Sequence, residues 1–195
     1  MDLARFFTAE FDQHLEVAQR TKALLETPFA KLTESCVEAL KTGGKLMFFG
    51  NGGSAADAQH LATELTVRYI KNRKAIAAIA LTTDSSALTA IGNDLGFDAL
   101  FARQIEALGK PGDVAIGITT SGKSPNVIQA LRQARAQNIV PAALSGRGGG
   151  DLHGVADPLL VVPSDIVARI QEMHITLGQM LCGAIEIALG LASGA

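Results

Sequence analysis

Five short, uninterrupted apolar runs constrain this chain more than any other feature. They lie at 45–49, 75–81, 113–118, 139–144 and 159–162. Each gives way to loop chemistry: Gly-Asn-Gly-Gly-Ser at 50–54, Thr-Thr-Asp-Ser at 82–85, Thr-Thr-Ser-Gly-Lys-Ser at 119–124, Ser-Gly-Arg-Gly-Gly-Gly at 145–150, and Pro163. A strand with one wet face alternates apolar and polar residues, whereas an unbroken run of this length suits a strand buried on both faces of a parallel sheet. Segments of helical length follow these loops, at 53–69, 98–108, 124–137 and 164–190. The alternation predicts one doubly wound α/β domain of about five parallel strands flanked by helices. No repeat, low-complexity tract or linker divides it, so 1–195 reads as a single domain.

The two ends add to that core. Leu3, Phe7, Phe11, Leu15 and Ala18 recur every three or four residues, which predicts an amphipathic N-terminal helix over about 2–24. Its stripe packs either on its own domain or on a partner. The long C-terminal segment is apolar nearly all round (Ile166, Ile170, Met173, Leu177, Leu181, Ile185, Leu189), as a central or an oligomer-forming helix would be. Together the two predict a helix-packed homo-oligomer.

Composition closes off other classes. Of the 195 residues 48% are hydrophobic, enough for a substantial core, and a net charge of −2 with no Trp speaks against a nucleic-acid binder. Cys36 and Cys182 show no CxxC spacing and read as reduced core residues. Acidic residues at 2, 10, 12 and 16 exclude a signal or transit peptide, and no apolar stretch reaches the length of a membrane span. The expectation is a cytoplasmic protein with no membrane association.

Two loops carry ligand chemistry. The glycines of 50–54 let backbone approach a ligand closely, and 119–124 offers four hydroxyls just before a helix opening at Pro125. Either loop alone is also explained by ordinary turn and capping chemistry; two at strand ends point to a phosphate. The stretch 117–124 matches GxxxxGK[ST] to the letter. However, Gly117 falls inside a predicted strand, Pro125 interrupts the continuation, and no apolar run ends in an Asp to hold Mg²⁺. A nucleotide P-loop is therefore not expected. A dinucleotide fingerprint fails as well, since Ala55 stands where the third glycine belongs.

Four blocks in order, Gly-Asn-Gly-Gly-Ser-Ala-Ala-Asp-Ala-Gln-His at 50–60 with Glu64, Ala-Ile-Gly-Asn-Asp at 90–94, Thr-Thr-Ser-Gly-Lys-Ser-Pro-Asn at 119–126 and Arg-Ile-Gln-Glu-Met-His at 169–174, resemble the sugar isomerase (SIS) domain family. Within it the match narrows to the phosphoheptose isomerases, and it extends over essentially the whole chain. The resemblance implies a five-stranded parallel sheet between helices, assembled as a homotetramer with active sites between subunits. It also implies conversion of D-sedoheptulose 7-phosphate to D-glycero-D-manno-heptose 7-phosphate through an enediol(ate), on the route to ADP-heptose and lipopolysaccharide core precursors. By the same resemblance Asn51, Gly52, Gly53 and Ser54 contact the sugar phosphate, and Thr119, Thr120, Ser121 and Ser124 hold the phosphate. Asn93 and Asp94 bind the sugar chain, and His60, Glu64 and Gln171 take zinc-binding or catalytic positions, one zinc per subunit.

The residue types suit that chemistry. His60 and Glu64 are four apart, on one helical face, although such a pair elsewhere is usually a surface contact. With His60 on zinc and Asp94 on hydroxyls, Glu64 is left to carry the proton. One position departs from the family: Gln179 stands where these isomerases have a second metal-binding, acid–base histidine. Gln offers an oxygen but does not titrate. Three readings follow: weakened metal binding with Glu64 acting alone, loss of the reaction, or an engineered position. Gln171 and Gln179 are eight residues apart, ~12 Å along a helix and ~80° around it, so spacing alone does not make them co-ligands. His174 is a possible substitute, more at home packed or hydrogen-bonded, and His14 and His153 are expected at the surface. The alternative from another class is a non-catalytic SIS protein that binds a phosphosugar or a protein partner, like the relative associated with the bacterial replication initiator. Against it, Ser54, Asp57, Glu64, Ser121 and Gly122 all fit the catalytic pattern.

Overall fold

A computed structural model describes residues 2–192. The elements run α1 (Leu3–Leu24), α2 (Glu26–Lys41), β1 (Leu46–Gly50), α3 (Gly53–Thr66), β2 (Ala78–Ala80), α4 (Ser85–Asp94), α5 (Ala102–Leu108), β3 (Val114–Thr119), α6 (Pro125–Ala136), β4 (Val140–Ser145), β5 (Leu159–Val161) and α7 (Val167–Ala188). All strand pairs are parallel, in the order β2-β1-β3-β4-β5. The five apolar runs are thus the five strands. In β1, Leu46 and Phe48 feed one core and Met47 and Phe49 the other, and all four are fully buried, which is why the run does not alternate. The first core lies under α1, α2, α3 and α7, the second under α5 and α6.

The order reverses between β1 and β3. In open α/β sheets that switch point is where the loops part and a crevice forms at the carboxyl ends of the strands. Register lines those ends up, with Gly50 beside Ile118 and Thr119 beside Ser145. The glycine-rich and hydroxyl-rich loops therefore flank one crevice. Gly117 lies within β3, and a Cβ on it would stand 2.8 Å from Val127 Cγ1. It serves strand–helix packing, as the sequence reading of 117–124 requires.

Several expectations need correction. The segment 98–108 is not one helix: a 3-10 turn at Phe97–Ala99 precedes α5. Helices α2 and α4 had no counterpart in the strand–helix alternation. α4 fully buries none of its residues; its short stripe, Leu88 and Ile91, packs only partly buried against the second core, and the Asp84 cap, whose carboxylate accepts from the Ala87 N–H at 2.9 Å, marks its start. The run 75–81 yields only an edge strand, β2, with Ile79 at 38% exposure rather than buried on both faces. Of the two burials open to the α1 stripe, its own domain supplies only the packing of Ala18. Leu3, Phe7, Phe11 and Leu15 are 54–69% exposed, while Val17 and Thr21 make the burial. α7 is the central helix, packed against α1, α2, α3 and β4. Cys36 and Cys182 are free, buried thiols, the latter pushed up to about 12 by burial, as inert core residues are. Among the described residues no helix is long and apolar enough to cross a membrane.

Candidate active site

At the end of β1 the chain must turn directly into α3. Gly50 makes this possible, since a Cβ there would meet the Ile118 carbonyl at 2.6 Å and Ser54 Cβ at 2.7 Å. Gly52 then takes φ +56° as the residue before α3, whose N-terminus no side chain caps. Its first N–H groups and helix dipole face the crevice side of the sheet. Ser54 is buried beneath this turn.

The loop after β3 is organised by its own hydroxyls. Thr119 Oγ1 lies 3.0 Å from Ser124 Oγ and 3.5 Å from Ser121 Oγ, and Ser121 Oγ accepts from the Lys123 N–H at 3.1 Å. Ser124 precedes α6 without capping it through its side chain; Pro125 has no N–H and the Val127 N–H donates to the Ser124 carbonyl at 3.1 Å, which leaves the Asn126 N–H as the donor this end can offer. Thr120 is half-buried in the same loop. Gly122, at φ +65°, packs against the Gly149 carbonyl, and its own carbonyl accepts from the Asp151 N–H at 3.0 Å. The loop after β4 thus props the loop after β3.

A reciprocal amide pair ties the two loops across the switch point. Asn51 Nδ2 donates to Asn126 Oδ1 and Asn126 Nδ2 donates to Asn51 Oδ1, both at 2.9 Å. Asn126 is 1% exposed. No sequence signal singled it out as a bridge, because its partner lies 75 residues away.

Below the first loop, α3 presents Asp57, His60 and Glu64 along one side. Burial pushes the Asp57 carboxyl above its usual range, and His60 works against that shift. His60 Nε2 stands 3.0 Å from Glu64 Oε1. α7 runs alongside α3. Gly178 permits the contact, since a Cβ there would lie 2.5 Å from Leu61 Cδ1. That approach brings the Gln179 amide to 3.0 Å from His60 Nε2. One imidazole nitrogen carries one proton or none, so it cannot both donate to a carboxylate and accept from an amide N–H. Turning the amide so that its oxygen faces His60 removes the conflict. Nε2–H then donates toward both oxygens, and loss of that one proton would leave a nitrogen lone pair, a carboxylate and an amide oxygen converging, a donor set that fits a divalent cation. Among the described residues no cluster of three or more His, Cys, Asp or Glu could hold a metal, so the third donor here is an amide.

Gln171 takes a different place. Its Nε2 lies over the start of α3, 2.6 Å from where a Cβ on Gly53 would stand. It lines the glycine loop, while Gln179, two turns on, reaches His60. Asn93 and Asp94 are exposed at the end of α4, with Asn93 Nδ2 donating to Asp94 Oδ1 at 2.7 Å, and among the described residues no hydrogen bond joins them to the loops.

The remaining histidines fall outside this group. His174 is fully buried; its Nε2–H donates to the Ser145 carbonyl at 3.1 Å, and burial lowers its pKa to about 4. It packs, and does not substitute for a ligand. His14 is half-buried rather than free at the surface, with Nδ1 2.8 Å from Glu172 Oε2. His153 is exposed, as expected. His174 gives a stability prediction. Its folded pKa lies below the ordinary value of 6.5, so the unfolded chain takes up the extra proton first as pH falls. The contribution is complete above about pH 6.5 and is lost toward pH 4. Denaturant titrations of wild type and His174→Gln should therefore converge by up to about 3 kcal/mol between pH 7 and pH 4. A constant gap between the two curves would contradict the assignment.

Residues 10–146 match the SIS domain family. The chain is 58% identical over 186 residues to the phosphoheptose isomerase of Paramagnetospirillum magneticum, covering 95% of this chain and 97% of that one. It is 55% identical over 177 residues to the phosphoheptose isomerase of Campylobacter jejuni, covering 91% and 95%. The solved phosphoheptose isomerase of Neisseria gonorrhoeae superposes with a TM-score of 0.88 at 44% identity, covering 94% of this chain and 98% of that one. That of Francisella tularensis gives 0.91 at 35%, covering 95% and 98%. Full-length similarity to enzymes does not favour the non-catalytic alternative. Sequence, fold and the two loops at the switch point agree: the chain belongs to the phosphoheptose isomerase family of SIS-domain enzymes.

Proposed function

We propose that this chain isomerises D-sedoheptulose 7-phosphate to D-glycero-D-manno-heptose 7-phosphate through an enediol(ate), supplying ADP-heptose and lipopolysaccharide core synthesis. The observation that carries the reading is the pinning of the two phosphate-type loops by Asn51 and Asn126, next to the helix that presents His60 and Glu64. Thr119, Thr120, Ser121 and Ser124, with the Asn126 N–H at the start of α6, hold the phosphate. Asn51, Gly52, Gly53, Ser54 and Gln171 border the sugar. Glu64 takes the proton from one carbon of the C1–C2 edge and returns it to the other, and its 3.0 Å contact with His60 keeps it oriented. Asn93 and Asp94 bind sugar hydroxyls contributed across a subunit boundary. The exposed Leu3, Phe7, Phe11 and Leu15 of α1 support such an assembly, a homotetramer with sites between subunits, in the cytoplasm. Conversion of sedoheptulose 7-phosphate by the purified chain, followed as aldose formation by NMR, tests the reading.

His60, Glu64 and Gln179 would hold zinc, with Gln171 nearby at the glycine loop. Bound there, the metal supplies Lewis-acid polarisation of the substrate oxygens. An amide oxygen is a weaker zinc donor than imidazole nitrogen. Gln179→His should therefore raise zinc affinity about tenfold or more, read by competition with a chromogenic chelator. Unchanged affinity would place the metal elsewhere.

A further inference from the structure

The last turn of a helix leaves carbonyls without partners and frays most easily, and Glu64 sits in the last turn of α3. Here that turn is fastened from outside. Arg73 Nη2 donates to the Glu64 carbonyl at 2.8 Å and Nη1 to the Leu65 carbonyl at 2.7 Å. Its Nε donates to Glu186 Oε1, also at 2.7 Å. The Arg73 and Glu186 side chains are only 2% and 1% exposed, so this ion pair is held out of water. Glu186 Oε1 also accepts from the Tyr69 N–H at 3.1 Å, fixing the segment that follows α3.

Glu186 lies on α7 seven residues beyond Gln179, two turns along the same face. The α3–α7 seam is then a ladder in register: Gln171 against Gly53, Gly178 against Leu61, Gln179 against His60, and Glu186 through Arg73 against Glu64. A buried Arg–Glu pair stabilises a fold little compared with an apolar pair of similar volume, because desolvation offsets the attraction. What this one does distinctively is fix where the end of α3 lies relative to α7.

We infer that Arg73, clamped by Glu186, is a positioning residue for the isomerisation: it fixes the backbone of Glu64, and through α7 the spacing of the His60–Gln179 contact. The inference deepens the proposed function and rests on Glu64 as the proton carrier. Arg73 touches neither substrate nor reacting atoms in this role. Lys at position 73 keeps the charge but cannot span two carbonyls and a carboxylate at once. A small displacement of a base costs rate far more than it costs substrate binding.

The test is steady-state kinetics of Arg73→Lys and Glu186→Gln on sedoheptulose 7-phosphate, beside wild type and Ile105→Ala, a core truncation on the opposite face of the sheet. Arg73→Lys should lower kcat about 10- to 100-fold with KM within about threefold, since the phosphate loops are untouched. Glu186→Gln, which keeps the shape and the Tyr69 contact, should show the same split at a smaller size. Ile105→Ala should lose comparable or greater thermal stability while keeping kcat. A wild-type kcat in both clamp variants, or a kcat loss in Ile105→Ala that matches theirs, overturns the inference alone. A wild-type chain that does not turn over the substrate overturns the assigned reaction, and this inference with it.

Discussion

Glu64→Gln should abolish nearly all turnover of sedoheptulose 7-phosphate, with kcat down about 10²–10⁴-fold and KM little changed. The substitution keeps size and hydrogen-bonding capacity but removes the base. Among the titratable groups at the crevice no other can take its place. His60 Nε2 is already engaged by Glu64 and Gln179, each at 3.0 Å. His174 is buried behind β4 on the Ser145 carbonyl, and its low pKa keeps it neutral and remote from any substrate. Asp57 shares that side of α3 but stands two helical turns before Glu64, toward the glycine loop and away from the end of the helix. Asp94 is exposed and paired with Asn93. Retention of wild-type kcat in Glu64→Gln, measured by single-turnover and steady-state assays, would remove the assigned base.

The second large effect is expected in the hydroxyl loop. Ser121→Ala with Ser124→Ala removes the two hydroxyls that we propose donate to the ionised phosphate. Hydrogen bonds to charged groups contribute about 1.5–3 kcal/mol each, so kcat/KM should fall about 10²–10⁴-fold in the double variant. The two hydroxyls meet through Thr119 Oγ1, so the single-variant effects should not simply add. Part of the loss belongs in kcat, because binding energy from a remote phosphate helps to orient the reacting end. Competition by inorganic phosphate gives an independent reading: the double variant should lose it. Tight ATP binding dependent on Lys123 would instead restore the nucleotide reading that Gly117 argues against.

What the sequence made legible follows from how locally each feature is encoded. Strands β1 and β3 are unbroken apolar runs buried throughout, so burial on both faces shows in composition alone; β4 is buried over its last four residues and the edge strand β5 only at Leu160, yet both keep the same apolar signature. The two loops show as Gly and Ser/Thr clusters at the ends of those runs, and the His60–Glu64 pair shows as a four-residue spacing. α2 was hidden because Pro28 falls in its first turn and α1 ends only at Leu24, leaving Leu25 as the whole connection. α4 was hidden because it is short and its two apolar contacts, Leu88 and Ile91, are only partly buried.

The site was harder where it depends on crossings. Asn51 meets Asn126 across 75 residues and Gln179 meets His60 across 119, and neither pair has a spacing to betray it. Gly178 is the physical cause of the second contact, but a glycine inside an apolar helix reads only as a weak point in its propensity. The puzzle of two glutamines on different faces of α7 has a simple resolution. The helix runs alongside α3, and each glutamine addresses a different level of it, Gln171 the glycine loop and Gln179 the histidine. Family resemblance brought these residues together; folding explains why they meet.

The most direct test of the central claim, that one base on α3 shuttles a proton between C1 and C2 of a sugar phosphate held by these loops, is the reaction in D₂O. Wild-type chain with sedoheptulose 7-phosphate should yield the aldose 7-phosphate, with deuterium at C2 in the fraction of turnovers in which the proton held by Glu64 exchanges with solvent before its return, seen by NMR and mass spectrometry. Glu64→Gln should form it about 10²–10⁴-fold more slowly. Failure to form the aldose, or aldose formed at equal rate by Glu64→Gln, would contradict the account.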